Sequence, residues 1–342
     1  MKVAISEGKG DINLVDIPIP DINDYQCLCK TLACATCSGT DLKIIDRKIF
    51  WCKNYPVILG HESVGVVVKK GKKVKYIKEG DIFLRTTCVY PGERYYNYFS
   101  AIGGFSEYGI ITDLKALKEE NKDAKIPNYT IYQQKIPEDL NISPVDATIF
   151  ITLKETSSFI FNIGAKFQSS ILILGSGPVA MGMVYFAKLI GCQPVIVAGR
   201  NQKTLNYIEK IGADYIINTN QERIEKIKEI TDGKGVDFII DTTGDKEFVL
   251  KTISLLSKNG KIAPYASYEE GDPFKDNEKN EKFIFTGPSE EKTHNYICEL
   301  TKKNILKPQL FYSHVLPFKE VKYGFKLIRE KQGFKVVFKM EG

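Results

Sequence analysis

With 342 residues, 43% of them hydrophobic and 26% charged, and a formal net charge of +6, the chain has the balance of an ordinary globular protein long enough for two cores. Lysine and arginine are scattered, with no basic run interleaved with aromatics, which argues against nucleic-acid binding; no stretch approaches the ~18 apolar residues of a membrane span. The opening MKVAISEGKG lacks an apolar signal core, so the expected location is the cytoplasm, where the eight cysteines are expected as buried thiols or metal ligands rather than disulfides.

The first 110 residues read as short strands and turns, among them QCLCKTLAC, ESVGVVVKKG and DIFLRTTCVY, with Gly and Asp punctuation and little helical periodicity. Residues 113–139 are polar and contain proline, which predicts a long surface excursion and not a core element. At Ser143 the pattern changes. Ser143 as N-cap, Pro144 at the first helical position and Asp146 in the first turn predict a helix running through ITLKETSS. Strands and helices then alternate: SSILILG, a helix from about Pro178, PVIVAG, the helix QKTLNYIEKIG, YIIN, a helix near 222–231, VDFIIDTTG, another helix, and GKIAPYAS. Apolar runs without polar alternation are what parallel strands covered on both faces require, so this part reads as a doubly wound α/β domain. The mixed strand and helix after about Ile305, ending in GFKVVFKM, is expected to rejoin the first domain.

ILILGSGPVAMG places Gly175, Gly177 and Ala180 between a strand and a helix, the dinucleotide pattern G-x-G-x-x-G/A in its required context. Gly175 makes the tight turn, Gly177 lets the backbone approach a pyrophosphate, and the helix N-terminus meets its charge. The second strand is informative by what it lacks. About twenty residues on, an NAD site offers Asp or Glu to the ribose hydroxyls; here the strand ends in Gly199 and Arg200, with Lys203 close behind. A guanidinium beside a glycine suits a 2′-phosphate, so the expected cofactor is NADP(H). The candidate cofactor contacts are Gly175, Gly177, Pro178, Val179, Gly199, Arg200, Asn201, Lys203, Thr242 and Thr243.

The stretch LGHESVGVV spends one of three histidines between a glycine and a glutamate, and CSGTD puts Cys37 twenty-four residues upstream of His61. A lone histidine is usually a satisfied structural residue. Thiolate, imidazole and carboxylate together form a borderline-soft set suited to Zn²⁺, with an open fourth position if the site is catalytic.

On CSGTDLKI, GHESVGVV, GGFSEYGIIT, GSGPVAMG, KIGADYIIN, GVDFIIDTTG and FKVVFKM, the chain resembles the zinc-dependent medium-chain alcohol and polyol dehydrogenases, the group of sorbitol, threonine and bacterial alcohol dehydrogenases, over almost its whole length. The resemblance implies a mostly β GroES-like catalytic domain over 1–150, a Rossmann domain with a doubly wound parallel sheet that binds NADP over 151–290, and a return to the catalytic domain over 291–342. It makes Cys37 and His61 zinc ligands and Thr40 the hydroxyl that relays the substrate proton. Asp41 and Glu62 become the acids that orient the ligands or exchange with them. Lys43 stands where several members carry a relay histidine.

Three departures from the family pattern stand out. CSGTD is one residue longer than the usual C-G-T-D, which leaves Cys34 as a minor alternative ligand. The usual position of the next protein ligand falls on Ile151, which cannot bind metal; Glu155, one helical turn later, and Glu62 are the alternatives for it. The structural-zinc lobe of many members would lie in GDIFLRTTCVYPGERYYNYFSAIGGF, which offers only Cys88, so one catalytic zinc is expected and not two. Cys88 and the Tyr95–Tyr96 pair are then expected in the core or as pocket lining. The implied activity is hydride transfer between NADP(H) and a small alcohol, polyol, sugar or carbonyl substrate, in a homodimer or homotetramer, with zinc as Lewis acid on the substrate oxygen. Two other readings are a zinc-free NADPH-dependent quinone or enone reductase of the same superfamily and a non-catalytic NADPH-binding protein.

Overall fold

The computed structural model describes residues 1–269, 271, 273–274 and 280–341. Its chain divides into two compact units, Met1–Ile151 with His294–Gly342, and Thr152–Thr293.

The first unit is built on two sheets. In the larger, strands run in the order His314–Pro317, Val336–Lys339, Gln26–Ala35, Glu62–Lys70 and Ile82–Leu84, and Tyr108–Thr112 also pairs with Gln26–Ala35. Gln26–Ala35 alternates buried and half-buried residues until its last three, which are all buried, as expected of a strand with one face on the core. Cys27 and Cys29 lie on its inner face as small hydrophobes; burial pushes the Cys27 thiol up to about 12. The C-terminal strand pairs antiparallel with the same strand, Val337 opposite Ala35, so the tail rejoins the N-terminal region. The smaller sheet has the order Asn13–Asp16, Lys2–Ser6, Val57–Ile58, Tyr98–Ser100, Arg94–Tyr95.

Residues 113–139 correct the expectation of a purely superficial excursion. They contain a helix, Leu114–Glu120, capped by the Asp113 carboxylate accepting from the Ala116 amide at 3.0 Å, and a 3₁₀ turn, Asn128–Tyr132. Ala116, Thr130 and Gln133 are buried. The Gln133 amide donates to the carbonyls of Arg85 and Ile110, at 3.1 and 2.9 Å, so the polar side chains serve as struts to the sheet, a use that composition alone does not reveal.

The second unit carries a parallel sheet in the order Tyr215–Asn218, Val195–Gly199, Ile171–Leu174, Val236–Asp241, Leu256–Pro264, a doubly wound arrangement. Ile171–Leu174 and Val195–Gly199 are buried throughout, which explains their unbroken apolar runs. Ser143 caps Pro144–Thr148 as expected, but a break at Ile149 separates this turn from the long helix Phe150–Asn162. The helix expected near 222–231 is confined to Lys226–Ile230.

Candidate metal and nucleotide sites

Strand register brings the metal-capable residues together. Ala35 lies opposite Glu62 in an antiparallel pair, so the chain leaving one strand at Thr36–Cys37 meets the chain entering the other at His61. Ligand atoms of Cys37, His61 and Glu62 all lie within 4.8 Å of one another. Among the described residues this is the one group of three or more His, Cys, Asp or Glu side chains placed to hold a metal ion. Gly60 has φ +86°, and a β-carbon there would run into the Phe105 ring, so the residue before the histidine must be glycine for the turn to form.

Each group is oriented by a neighbour. The turn after Cys37 closes on itself: the Asp41 carboxylate accepts from the Cys37 amide, and the Asp41 amide donates to the Cys37 carbonyl, both at 2.9 Å. The extra residue in CSGTD therefore leaves Cys37 in the cluster. Asp41 is fully buried, with Oδ1 3.3 Å from His61 Nδ1, while His61 Nε2 faces Glu62 Oε1 at 3.9 Å. Burial opposes protonation of His61, but the Asp41 carboxylate and the Cys37 sulfur outweigh it and hold the imidazole pKa well above its usual value. With the Asp41 carboxylate 3.3 Å from Nδ1, Nε2 is the nitrogen that faces Glu62 and could meet a metal.

The other oxygen of Glu62 is paired with Lys335, an ammonium only 1% exposed that also donates to the Thr36 carbonyl at 3.1 Å. Lys335 precedes the strand Val336–Lys339, which places it at the same sheet edge. Sequence reasoning missed it, because a lysine ahead of an apolar strand looks like any solvated boundary residue. A soft thiolate, an imidazole with a carboxylate behind it and a buried carboxylate form a donor set that fits Zn²⁺.

Thr40 is half-buried at the start of the short helix Asp41–Ile45, three residues from Cys37. Cys34 points into the core beside Ile44 and Phe338, and burial raises its thiol well above the usual range, so it is not part of the cluster. Glu155 belongs to the second unit. It sits half-buried on the helix Phe150–Asn162, where its Oε2 accepts from the Tyr265 hydroxyl at 3.1 Å. Cys88 packs with Val3, Ile5, Ile17 and Ile58, and burial pushes its thiol to about 12. Tyr95 packs against that cluster, whereas Tyr96 is exposed.

In the second unit Gly175 has φ +109° and leaves no room for a β-carbon against Thr242, while the space at Gly177 is open. Gly177 caps Pro178–Leu189, and its free approach suits a phosphate at the helix N-terminus. Pro178 is buried; Val179, Thr242 and Thr243 are half-buried. Asp241, fully buried, accepts from the Thr243 amide and hydroxyl, at 2.8 and 2.6 Å, and from the Tyr268 hydroxyl at 2.7 Å, which fixes the turn that carries Thr242 and Thr243. A β-carbon on Gly199 would lie 2.9 Å from Ser176. Arg200 and Lys203 are exposed beyond it, and Asn201 caps the next helix through the Lys203 amide at 3.0 Å. Residues 199–204 contain no carboxylate.

With this geometry in place, the relatives are informative. Residues 23–121 match the alcohol dehydrogenase GroES-like domain, and residues 178–289 match the zinc-binding dehydrogenase family. An L-threonine 3-dehydrogenase from Pyrococcus furiosus is 30% identical over 270 residues, 76% of this chain and 74% of that one. A sorbitol dehydrogenase from Bacillus subtilis is 29% identical over 274 residues, 77% of this chain and 74% of that one. The fold is shared with an alcohol dehydrogenase from Thermus sp. ATN1, at TM-score 0.81 and 19% identity over 100% of both chains. The chain belongs to the zinc-dependent medium-chain alcohol and polyol dehydrogenases. Members of this family are enzymes acting on small molecules with Zn²⁺ and a nicotinamide cofactor. Among the described residues no helix is long and apolar enough to cross a membrane.

Proposed function

We propose that the protein is an NADP(H)-linked, zinc-dependent dehydrogenase interconverting an alcohol, polyol or sugar with its carbonyl product. The observation that carries this reading is the cluster of half-buried Cys37 with buried His61 and Glu62, with Asp41 behind the histidine and Lys335 behind the glutamate. Cys37, His61 and Glu62 hold the metal, which supplies Lewis-acid polarisation of the substrate oxygen when bound. Glu62 is preferred to Glu155 as the carboxylate because it stands in the cluster and Glu155 does not.

Thr40, half-buried three residues from Cys37, takes the hydroxyl proton of the substrate and passes it outward. Asp41 holds the tautomer of His61. Lys335 engages Oε2 of Glu62, while Oε1 faces His61 Nε2 at 3.9 Å. The first unit is the catalytic one. In the second, Gly175, Gly177, Pro178 and Val179 cradle the pyrophosphate, Thr242 and Thr243 line the cofactor, and Gly199, Arg200, Asn201 and Lys203 receive the 2′-phosphate. Support for NADP(H) over NAD(H) is the carboxylate-free strand end with two exposed cations.

The test is turnover over a panel of sugars, polyols, their phosphates and simple alcohols, with NADP⁺ and NAD⁺ compared on each. Oxidation of at least one polyhydroxylated substrate with NADP⁺ preferred is expected. Preference for NAD⁺ would refute the cofactor assignment. Activity confined to quinones or enones and indifferent to chelator would replace the reading by the zinc-free reductase.

A further inference from the structure

We propose that the aromatic turn within residues 128–133 is a positioning device for the metal site, acting through Arg85 on the backbone of His61. The inference rests on the reading of Cys37, His61 and Glu62 as metal ligands.

Arg85 is a buried arginine, 4% exposed, in the left-handed region at φ +58°, a conformation that a residue with a β-carbon disfavours. Its main chain is held at both ends. Its amide donates to the Ser63 carbonyl at 2.7 Å, and its carbonyl accepts from the Gln133 side chain at 3.1 Å. Gln133 is itself fixed by donating to the Ile110 carbonyl at 2.9 Å and accepting from the Tyr90 hydroxyl at 3.2 Å.

The side chain is as constrained as the backbone. Nη1 donates to the His61 carbonyl at 3.1 Å, and the guanidinium lies 5.9 and 5.7 Å from the ring centroids of Tyr129 and Tyr132, which meet edge to face. A buried guanidinium needs compensation. Two aromatic faces supply part of it without competing for the hydrogen bonds that the cation directs at the backbone. The turn Asn128–Tyr132 thus delivers two rings, and Gln133 a strut, to the residue that grips the carbonyl of a proposed ligand. His61 has the Asp41 carboxylate 3.3 Å from its ring Nδ1, and its main-chain carbonyl is held by Arg85. Arg85, Tyr129 and Tyr132 are positioning residues.

The experiment measures zinc dissociation constants by competition with a chromophoric chelator, together with the thiolate-to-metal charge-transfer band of the cobalt-substituted protein. The variants are Arg85→Met, the double variant Tyr129→Leu/Tyr132→Leu, the double variant Tyr129→Phe/Tyr132→Phe and, as a control elsewhere in residues 113–139, Glu138→Ala. Removing groups that orient a metal ligand weakens metal affinity by roughly tenfold to a hundredfold. Arg85→Met and the Leu pair are expected to show such a loss and an altered cobalt band, while the Phe pair, which keeps both ring faces, and Glu138→Ala bind as the wild type does. If Arg85→Met fails to fold, the contrast between the Leu and Phe pairs decides the question. Wild-type affinity in the Leu pair, or an equal loss in the Phe pair, overturns the positioning role while leaving the metal site intact. A wild-type protein that takes no zinc overturns the metal site and the positioning role with it.

Discussion

At the scale of single residues, Arg200 reports on the cofactor, and Glu62, Glu155 and Lys335 report on the metal. Arg200→Ala is expected to weaken NADPH binding by on the order of 1.5–3 kcal/mol, the range for charge-assisted hydrogen bonds, and to leave NADH nearly unchanged. Isothermal titration with both cofactors checks this, and equal losses would show that Arg200 does not read the 2′-phosphate. For the metal, Glu62→Ala should lose zinc and turnover together, whereas Glu155→Ala should retain both, since Glu155 is engaged by Tyr265 outside the cluster. Zinc analysis of the two purified variants settles the ligand, and the opposite pattern would return the role to Glu155. Lys335→Met strips a buried carboxylate of its ammonium, a change that costs about 3–5 kcal/mol when nothing replaces the partner. Denaturant melts should show most of that loss in chelated protein and less with zinc present; an equal loss in both states would mean that Glu62 does not meet the metal. Cys37, His61 and Glu62 were legible because their residue types already specify chemistry. Lys335 and Arg85 were not, since what makes them part of the site is burial and a partner far away in sequence: Glu62 precedes Lys335 by 273 residues.

At the scale of elements, the packing of two helices in the second unit gives a sharp test. Gly182 lies within Pro178–Leu189, where alanine is ordinarily better than glycine by about 1 kcal/mol. A β-carbon there would lie 2.5 Å from Thr156 Oγ1 and 3.1 Å from its Cβ, on the neighbouring helix Phe150–Asn162. Gly182→Ala is therefore expected to destabilise by about 1–3 kcal/mol, the usual cost of overpacking, and adding Thr156→Ala should recover most of it. A stabilised Gly182→Ala would mean that the helices do not pack so closely. The strands of the parallel sheet were legible from their unbroken apolar runs, and the turn at Gly175 from its motif, because burial on both faces and a positive φ each restrict residue choice severely. The 113–139 excursion was misjudged for the converse reason. Its contacts with Arg85 and Ile110 are made by half-buried Tyr129 and Tyr132 and by buried Gln133, residues that composition assigns to solvent, and only the fold shows where they reach.

At the scale of the whole molecule, the Cys37–His61–Glu62 cluster lies entirely in the unit Met1–Ile151 with His294–Gly342, and the loop carrying Gly175 and Gly177 entirely in Thr152–Thr293. Each ligand should therefore stabilise the unit that binds it, by about 2.7 kcal/mol at a free concentration one hundred times its dissociation constant. Hydrogen exchange resolved along the chain should show zinc protecting the strands around His61 and NADPH protecting those around Gly175. Zinc protection confined to Thr152–Thr293 would contradict the assignment. Cys88, the one cysteine in the stretch 80–105, packs in an apolar cluster, and one zinc per chain is the expected stoichiometry. The most direct test of the central claim is a titration of zinc into chelator-stripped protein while NADP⁺ reduction is followed on a substrate from the panel. No turnover is expected at the start, followed by a linear rise that breaks at one zinc per chain. Full turnover without zinc, or a break at two, would contradict that claim.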